Sequence, residues 1–272
     1  MTRRPGFLVY GLLVAFILGS VFPIYWSFLV PSHGNDILTD KVPPLLPGGN
    51  FFSNAQQVLD TIPFWHALMN SVIVSGSVAL SVVVFSTLAG FAFAKLQFRG
   101  SNVLFVLVVL TMAVPTQLGI IPLYMAMADF GWAGHLQAVI VPNLVSAFGV
   151  FWMRQYLADA VPSELIEAAR SDGCSMIRVF WHVAVPASRP AAAMLGLFTF
   201  MQSWNDFLWP LIALDQNNPT IQLALEQLQA GYYVNYALVL AGTTLATIPI
   251  FLLFVAVGRQ LVAGIMQGAV KG

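Results

Sequence analysis

Long apolar stretches alternate with short polar ones along most of this chain. Crossing a hydrocarbon core about 30 Å thick takes roughly 20 apolar residues in a helix. Six segments meet or approach that length: 7–29, 70–94, 103–127, 136–153, 190–214 and 237–258. The pattern predicts an all-α, polytopic membrane protein with six transmembrane helices in a single transmembrane domain, residues 1–272. Arg3 and Arg4 precede the first run, as in a secretory signal. That run is longer than a signal h-region and no clear small-residue cleavage site follows it, so the first helix is expected to be retained.

Composition narrows the picture. Hydrophobic residues make up 58% and charged ones 8%, against about a quarter charged in soluble domains. A net charge of zero argues against a nucleic-acid partner, which calls for a basic surface. Cys174 is the one cysteine; it excludes an internal disulfide and reads as a small packing residue. His33, His66, His135 and His182 lack metal-site spacing, so no metal is expected.

Basic residues are retained on the cytoplasmic side. With an inside N-terminus and six spans, Arg3, Arg4, Lys95, Arg99, Arg154, Arg170, Arg178, Arg189, Arg259 and Lys271 are all cytoplasmic, and only Lys41 is outside. A multi-pass membrane location with both termini cytoplasmic follows, residues 259–272 forming a tail.

Prolines and glycines mark the outer loop from Val30 to Met69 as irregular. A short helix over 53–61 is expected, capped by Ser53 or Asn54 and ending before Pro63. It is either a segment lying on the membrane surface or a passive linker. In the second span Ser77, Ser81, Ser86, Gly90 and Ala94 form a small-residue face that lets helices approach closely in lipid. Pro115 and Pro122 bend the third span, either to line a pathway or as an ordinary packing kink.

The charge that the spans lack gathers in one place. Four of the eleven basic and four of the eleven acidic residues fall between Arg154 and Arg189. Pro162 suits a helix start, Glu164 and Glu167 suit its dipole, and Gly173 suits a left-handed stop. Ser175 then caps a second helix over Met176–Val183 that ends at Pro186. The expected product is a compact hairpin over 158–188, with Ala168 and Ala169 as a shallow face beside Glu167. It is either a docking knob for a soluble partner or a solvated loop.

The run Glu167-Ala168-Ala169, then Gly173, then Val183-Ala184-Val185-Pro186 resembles the EAA motif of binding-protein-dependent ABC importer permeases. Cys174 and Ser175 depart mildly from the pair common after that glycine. Trp204-Asn205-Asp206-Phe207 resembles a signature of the carbohydrate-importer branch. Asn70-Ser71, and the C-terminal Gly264 followed by Gly268-Ala269-Val270-Lys271-Gly272, resemble the maltose-type second permease subunit. The resemblance implies a type I ABC importer permease fold, with Glu167, Ala168, Ala169, Gly173 and Pro186 in a coupling hairpin seated on a cytoplasmic ATPase. It implies tail contacts to the ATPase, with Gly268 and Lys271 as candidates. It also implies a homologous second permease, two ATPase subunits that bind ATP and Mg, and an extracytoplasmic solute-binding protein. This chain itself is expected to hold no cofactor.

The residues agree with that division of labour. A phosphate-cradling loop needs G-x-x-x-x-G-K-[ST], and Lys41, Lys95 and Lys271 all lie outside any such setting. The chain is therefore expected to be a transport subunit and not an enzyme; a G-x-S-x-G elbow is missing too. Asp206 is the one acidic residue well inside a predicted span. It reads as a substrate or gating contact together with Trp204, Asn205 and Phe207, or as a helix cap. Trp204 and Trp209 read as sugar-stacking rings or, by preference, as interfacial anchors. Outer loops with one lysine and no arginine favour a neutral mono- or oligosaccharide, amino sugars included, over an anion. A glycerophosphodiester permease, and a secondary ion-coupled transporter using Asp206, are the alternatives.

Overall fold

The computed structural model describes residues 6–38 and 44–269. Among them every regular element is helical, and a lone bridge pairs Gly134 with Leu214. Two compact units are present, Met1–Trp65 with Ala224–Pro249, and His66–Leu223 with Ile250–Gly272.

The first unit holds α1 (Phe7–His33), α2 (Phe51–Thr61) and the first part of α13 (Tyr236–Ala269). Leu29, Val30, Ile37 and Ala237 form its core. Polar side chains tie the helices: Thr244 Oγ1 donates to the Ser27 carbonyl at 3.0 Å, and Asn35 Oδ1 accepts from Ala237 N–H at 3.1 Å. Groups at a helix end lack intrahelical partners, and here residues 48–54 bond to the last turn of α1. Asn54 Nδ2 donates to Pro31 O at 2.8 Å, while Gly48 N–H donates to Ser32 Oγ at 2.9 Å. Asn54 is thus spent on α1, and α2 begins at Phe51, two residues before the earlier of the expected caps. Arg3, Arg4 and Lys41 lie outside the described residues.

The second unit runs from α3 (Phe64–Lys95) through α4 (Ser101–Thr111), α5 (Ile120–Asp129), α6 (Gln137–Ile140) and α7 (Ala147–Ala160). It continues with α8 (Ser163–Ser171), α9 (Met176–Val179), α10 (Val185–Trp204) and α11 (Leu208–Ala213), and reaches the start of α12 (Ile221–Gln227). The small-residue face of α3 meets α7. A Cβ on Gly90 would stand 2.7 Å from Arg154 N, and one on Gly149 would run into Ser86 Oγ. Ser81 Oγ donates to Leu144 O at 2.9 Å. Backbone-to-backbone approach of this kind gives lipid-embedded helices their dispersion contacts.

Among the described residues four helices are long and apolar enough to cross a membrane: Phe7–His33, Phe64–Lys95, Met176–Trp204 and Tyr236–Gly258. The α4–α5 pair makes a fifth if counted as one span; it bends by 88° around Pro115. The stretch expected to span at 136–153 is not one helix. Pro142 offers no N–H, Asn143 Nδ2 bonds back to Val139 O at 2.9 Å, and Ser146 Oγ caps α7 by accepting from Gly149 N–H at 3.2 Å. These local bonds compete with continuous helix. At the other end, α13 continues to Ala269, so residues 259–269 of the expected tail extend the last helix, and 270–272 lie outside the described residues.

Candidate functional site

The charged hairpin grows directly out of the core of the second unit. Val161 and Pro162 are extended, and α8 starts at Ser163, one residue later than expected. Ile166, Val179, Phe180 and Ala184 are buried against Phe91, Met153, Leu157 and Val161. Burying side chains such as Ile166, Val179 and Phe180 is worth about 1.5–3 kcal/mol each, enough to hold the hairpin against α3 and α7 as one body. Phe91 and Phe180 meet at 5.4 Å between ring centres.

The hairpin's turn is a six-residue closure. Cys174 N–H donates to Ala169 O at 2.9 Å, and Gly173 N–H to Arg170 O at 3.0 Å. This is the paired bonding of a Schellman stop, with Gly173 at φ +80° in the left-handed region that favours glycine. Ala169 and Cys174 supply the apolar contact that accompanies it, both packed on the buried cluster. Ala169 therefore turns inward, whereas Glu167 and Ala168 are exposed. The two alanines do not share one face.

Ser175 Oγ accepts from Arg178 N–H at 3.4 Å, the cap expected of it. The helix it starts does not stop at Pro186. Phe180–Ala184 form a π turn, and α10 continues through Pro186 and Pro190. A π turn absorbs one extra residue, so Pro186, which lacks an N–H, falls in the first turn of a renewed α-helix.

At its other end α10 breaks at the Trp204–Phe207 run. Trp204 is 2% exposed and stacks on Phe200 at 5.5 Å. Asn205 Nδ2 curls back to Met201 O at 2.8 Å. The half-buried Asp206 carboxylate lies on the side of the Trp209 backbone N–H, while Phe207 is exposed. Trp209 is 8% exposed and donates through Nε1 to Ala138 O at 3.1 Å. Both tryptophans are core residues of this chain, which corrects the expectation of interfacial anchors and leaves neither ring free to stack on a sugar. The Trp209 indole packs here because its one N–H finds the Ala138 carbonyl inside the protein.

Asn70 and Ser71 back this break. Asn70 Nδ2 donates to Pro219 O at 3.0 Å, and Ser71 Oγ accepts from Ile221 N–H at 2.8 Å, both side chains being buried. Gln222 Nε2 reaches Trp204 O at 3.3 Å. Two further residues escaped the sequence reading. The guanidinium of Arg154 lies 4.2 Å from the centre of the Phe105 ring, and Gly149 gives α7 its close approach to Ser86. Gly149 continues the small-residue signal on the facing helix; a cation over a ring has no local signature. Gly268 falls within α13, and Lys271 lies outside the described residues.

Residues 83–267 match the family model described as the binding-protein-dependent transport system inner membrane component. The chain belongs to this family. Among its relatives, the lactose transport system permease protein of Rhizobium radiobacter is 34% identical over 99% of this chain and 97% of its own. The arabinooligosaccharides transport system permease protein of Halalkalibacterium halodurans is 35% identical over 77% of this chain and 75% of its own. A solved chain of a bacterial ABC transporter involved in alginate import shares the fold, with a TM-score of 0.80, 23% identity, and coverage of 95% and 99%. The protein is thus a helical, multi-pass inner-membrane component of a transport system.

Proposed function

We propose that this chain is one of two permease subunits of an ATP-driven ABC importer for a neutral mono- or oligosaccharide. Six spans form its half of the pathway, the α3–α4 turn and the α8–α9 hairpin face the cytoplasm, and a second permease completes the route. The relatives named for lactose and arabinooligosaccharide transport support the substrate class. The outer loops, with no arginine and Lys41 alone as a lysine, offer an anion little.

The observation that carries the coupling role is the hairpin itself. Glu167 and Ala168 face outward from a body whose other side is locked into the α3–α7 core. A knob rooted this way transmits a rigid-body push rather than bending under it. In the proposed cycle, ATP binding closes two partner ATPases, the knob moves with them, and the spans open toward an extracytoplasmic binding protein. Hydrolysis resets the pathway. ATP and Mg are held by the partner subunits.

The test is affinity purification from the native membrane, comparing wild type with Glu167→Lys. A co-purifying ATPase and second permease are expected for wild type, with only the ATPase lost in the mutant while membrane insertion is unchanged. A wild-type protein that purifies alone in a detergent that preserves known complexes would defeat the proposal.

A further inference from the structure

The end of α3, the start of α4 and the last turns of α7 gather charge and aromatic surface in a way the transport cycle does not use. Arg154 lies over Phe105. Phe105 in turn packs on Phe93 at 5.6 Å and Phe151 at 6.3 Å, and Phe93 on Phe98 at 5.9 Å. The Arg154 Nε is buried without a hydrogen-bond partner among the described residues. Lys95 Nζ reaches across to Ala158 O at 2.9 Å, so a second cation borders the same corner.

Next to this corner is an open cavity of about 650 Å³, whose wall runs from Phe93 through Arg99 to Val103. Arg99, Ser101 and Asn102 supply its polar side, Phe93, Leu96 and Phe98 its apolar side. Beyond it, α4 buries none of its residues, and Val103, Leu104, Val106, Leu107 and Leu110 are all exposed. Polar and basic groups at one end of an exposed apolar helix match the two halves of a phospholipid, a phosphate above and acyl chains below.

We infer that the α3–α4 turn is a seat for an anionic phospholipid, its phosphate held by Arg99 and the polar groups at Ser101–Asn102, with Lys95 and Arg154 adding positive potential. The acyl chains lie along α4. Continuity with the exposed α4 face selects a lipid over free phosphate, which needs no apolar surface. The seat depends on depth in a bilayer and not on which side is inside.

The test uses the full complex in nanodiscs of mixed phosphatidylglycerol and phosphatidylcholine, with bound lipid counted by native mass spectrometry. Wild type is expected to retain phosphatidylglycerol by about fivefold over phosphatidylcholine, the ratio that one basic contact near a membrane surface gives. Arg99→Gln, on an exposed loop that leaves the core intact, should lower the ratio clearly below the wild-type value. Arg154→Lys, which keeps the charge, should leave most of it. Equal retention in wild type, a preference unchanged in Arg99→Gln, or displacement by excess inorganic phosphate would each overturn the inference. None of these readouts depends on the complex transporting a sugar.

Discussion

Gly173 shows how much one residue decides here. Its φ of +80° is left-handed, and a Cβ added there would meet no atom within 4 Å. Crowding therefore contributes nothing to its need for glycine, and the whole penalty is backbone strain, about 1–3 kcal/mol for a residue other than glycine. Gly173→Val is expected to loosen the Ala169–Cys174 closure, whereas Gly173→Asn should cost less, because asparagine tolerates that region. Substrate-stimulated ATP hydrolysis by the reconstituted complex reads this out. Equal rates for valine, asparagine and wild type would show that the turn does not shape the coupling surface. Gly90 is the opposite case, since its Cβ would run into the Met153–Arg154 backbone at 2.7–2.8 Å. Gly90→Ala should lower the thermal midpoint of the purified complex, while Gly76→Ala, with open space around it, should leave it unchanged. Similar shifts for both would remove the close α3–α7 approach as a source of stability.

At the scale of elements, the signals that survived folding were those closed by local bonding. The Ser175 cap and the glycine stop each need only a few neighbours in sequence to work, and each was legible; the small-residue face of α3 is the exception, legible from its own spacing although it works against α7. The losses come from prolines and from polar or aromatic side chains whose hydrogen bonds, local or distant, hydropathy does not register. Pro142 with Asn143 and Ser146 interrupts an apolar run that hydropathy alone joins into one span. Pro186 reads as a stop, yet the π turn at Phe180–Ala184 shifts the register so that helix resumes. Trp204 and Trp209 read as surface anchors because hydropathy does not say whether an apolar face meets lipid or protein. Only the fold brings Trp209 Nε1 to Ala138 O, 71 residues away. The same junction makes an element-scale prediction. The π turn before Pro186 interrupts the regular ladder, and Pro190 leaves the carbonyl of Pro186 without the donor a regular helix would supply, so this is where α10 is least stiff. Pro186→Ala should stiffen the link between hairpin and α10, slowing transport while leaving ATPase association unchanged. Uptake in proteoliposomes alongside a pull-down separates the two, and parallel loss of both would mean that Pro186 shapes the docking surface itself.

For the molecule as a whole, the deciding question is where the driving energy enters. A chain powered by partner ATPases needs its hairpin and has no use for a protonatable group in a span. An ion-coupled carrier needs the reverse, and Asp206 is the carboxylate on which it would rely. In the structure that carboxylate is half-buried on the side of the Trp209 backbone N–H at the start of α11, where the task open to it is that of a helix cap. Asparagine performs that task nearly as well as aspartate. Asp206→Asn is therefore expected to keep uptake near the wild-type rate, and Asp206→Ala to cost about 1 kcal/mol of stability, typical of a lost cap. Uptake in cells carrying each variant, measured with an uncoupler and then under ATP depletion, separates the two energy sources. Uptake by Asp206→Asn that resists the uncoupler and fails without ATP places the engine in a partner subunit and leaves Asp206 as architecture. Uptake abolished by Asp206→Asn, in protein that is inserted and stable, would move the energy source into this chain and make the hairpin a regulatory contact instead of a drive shaft.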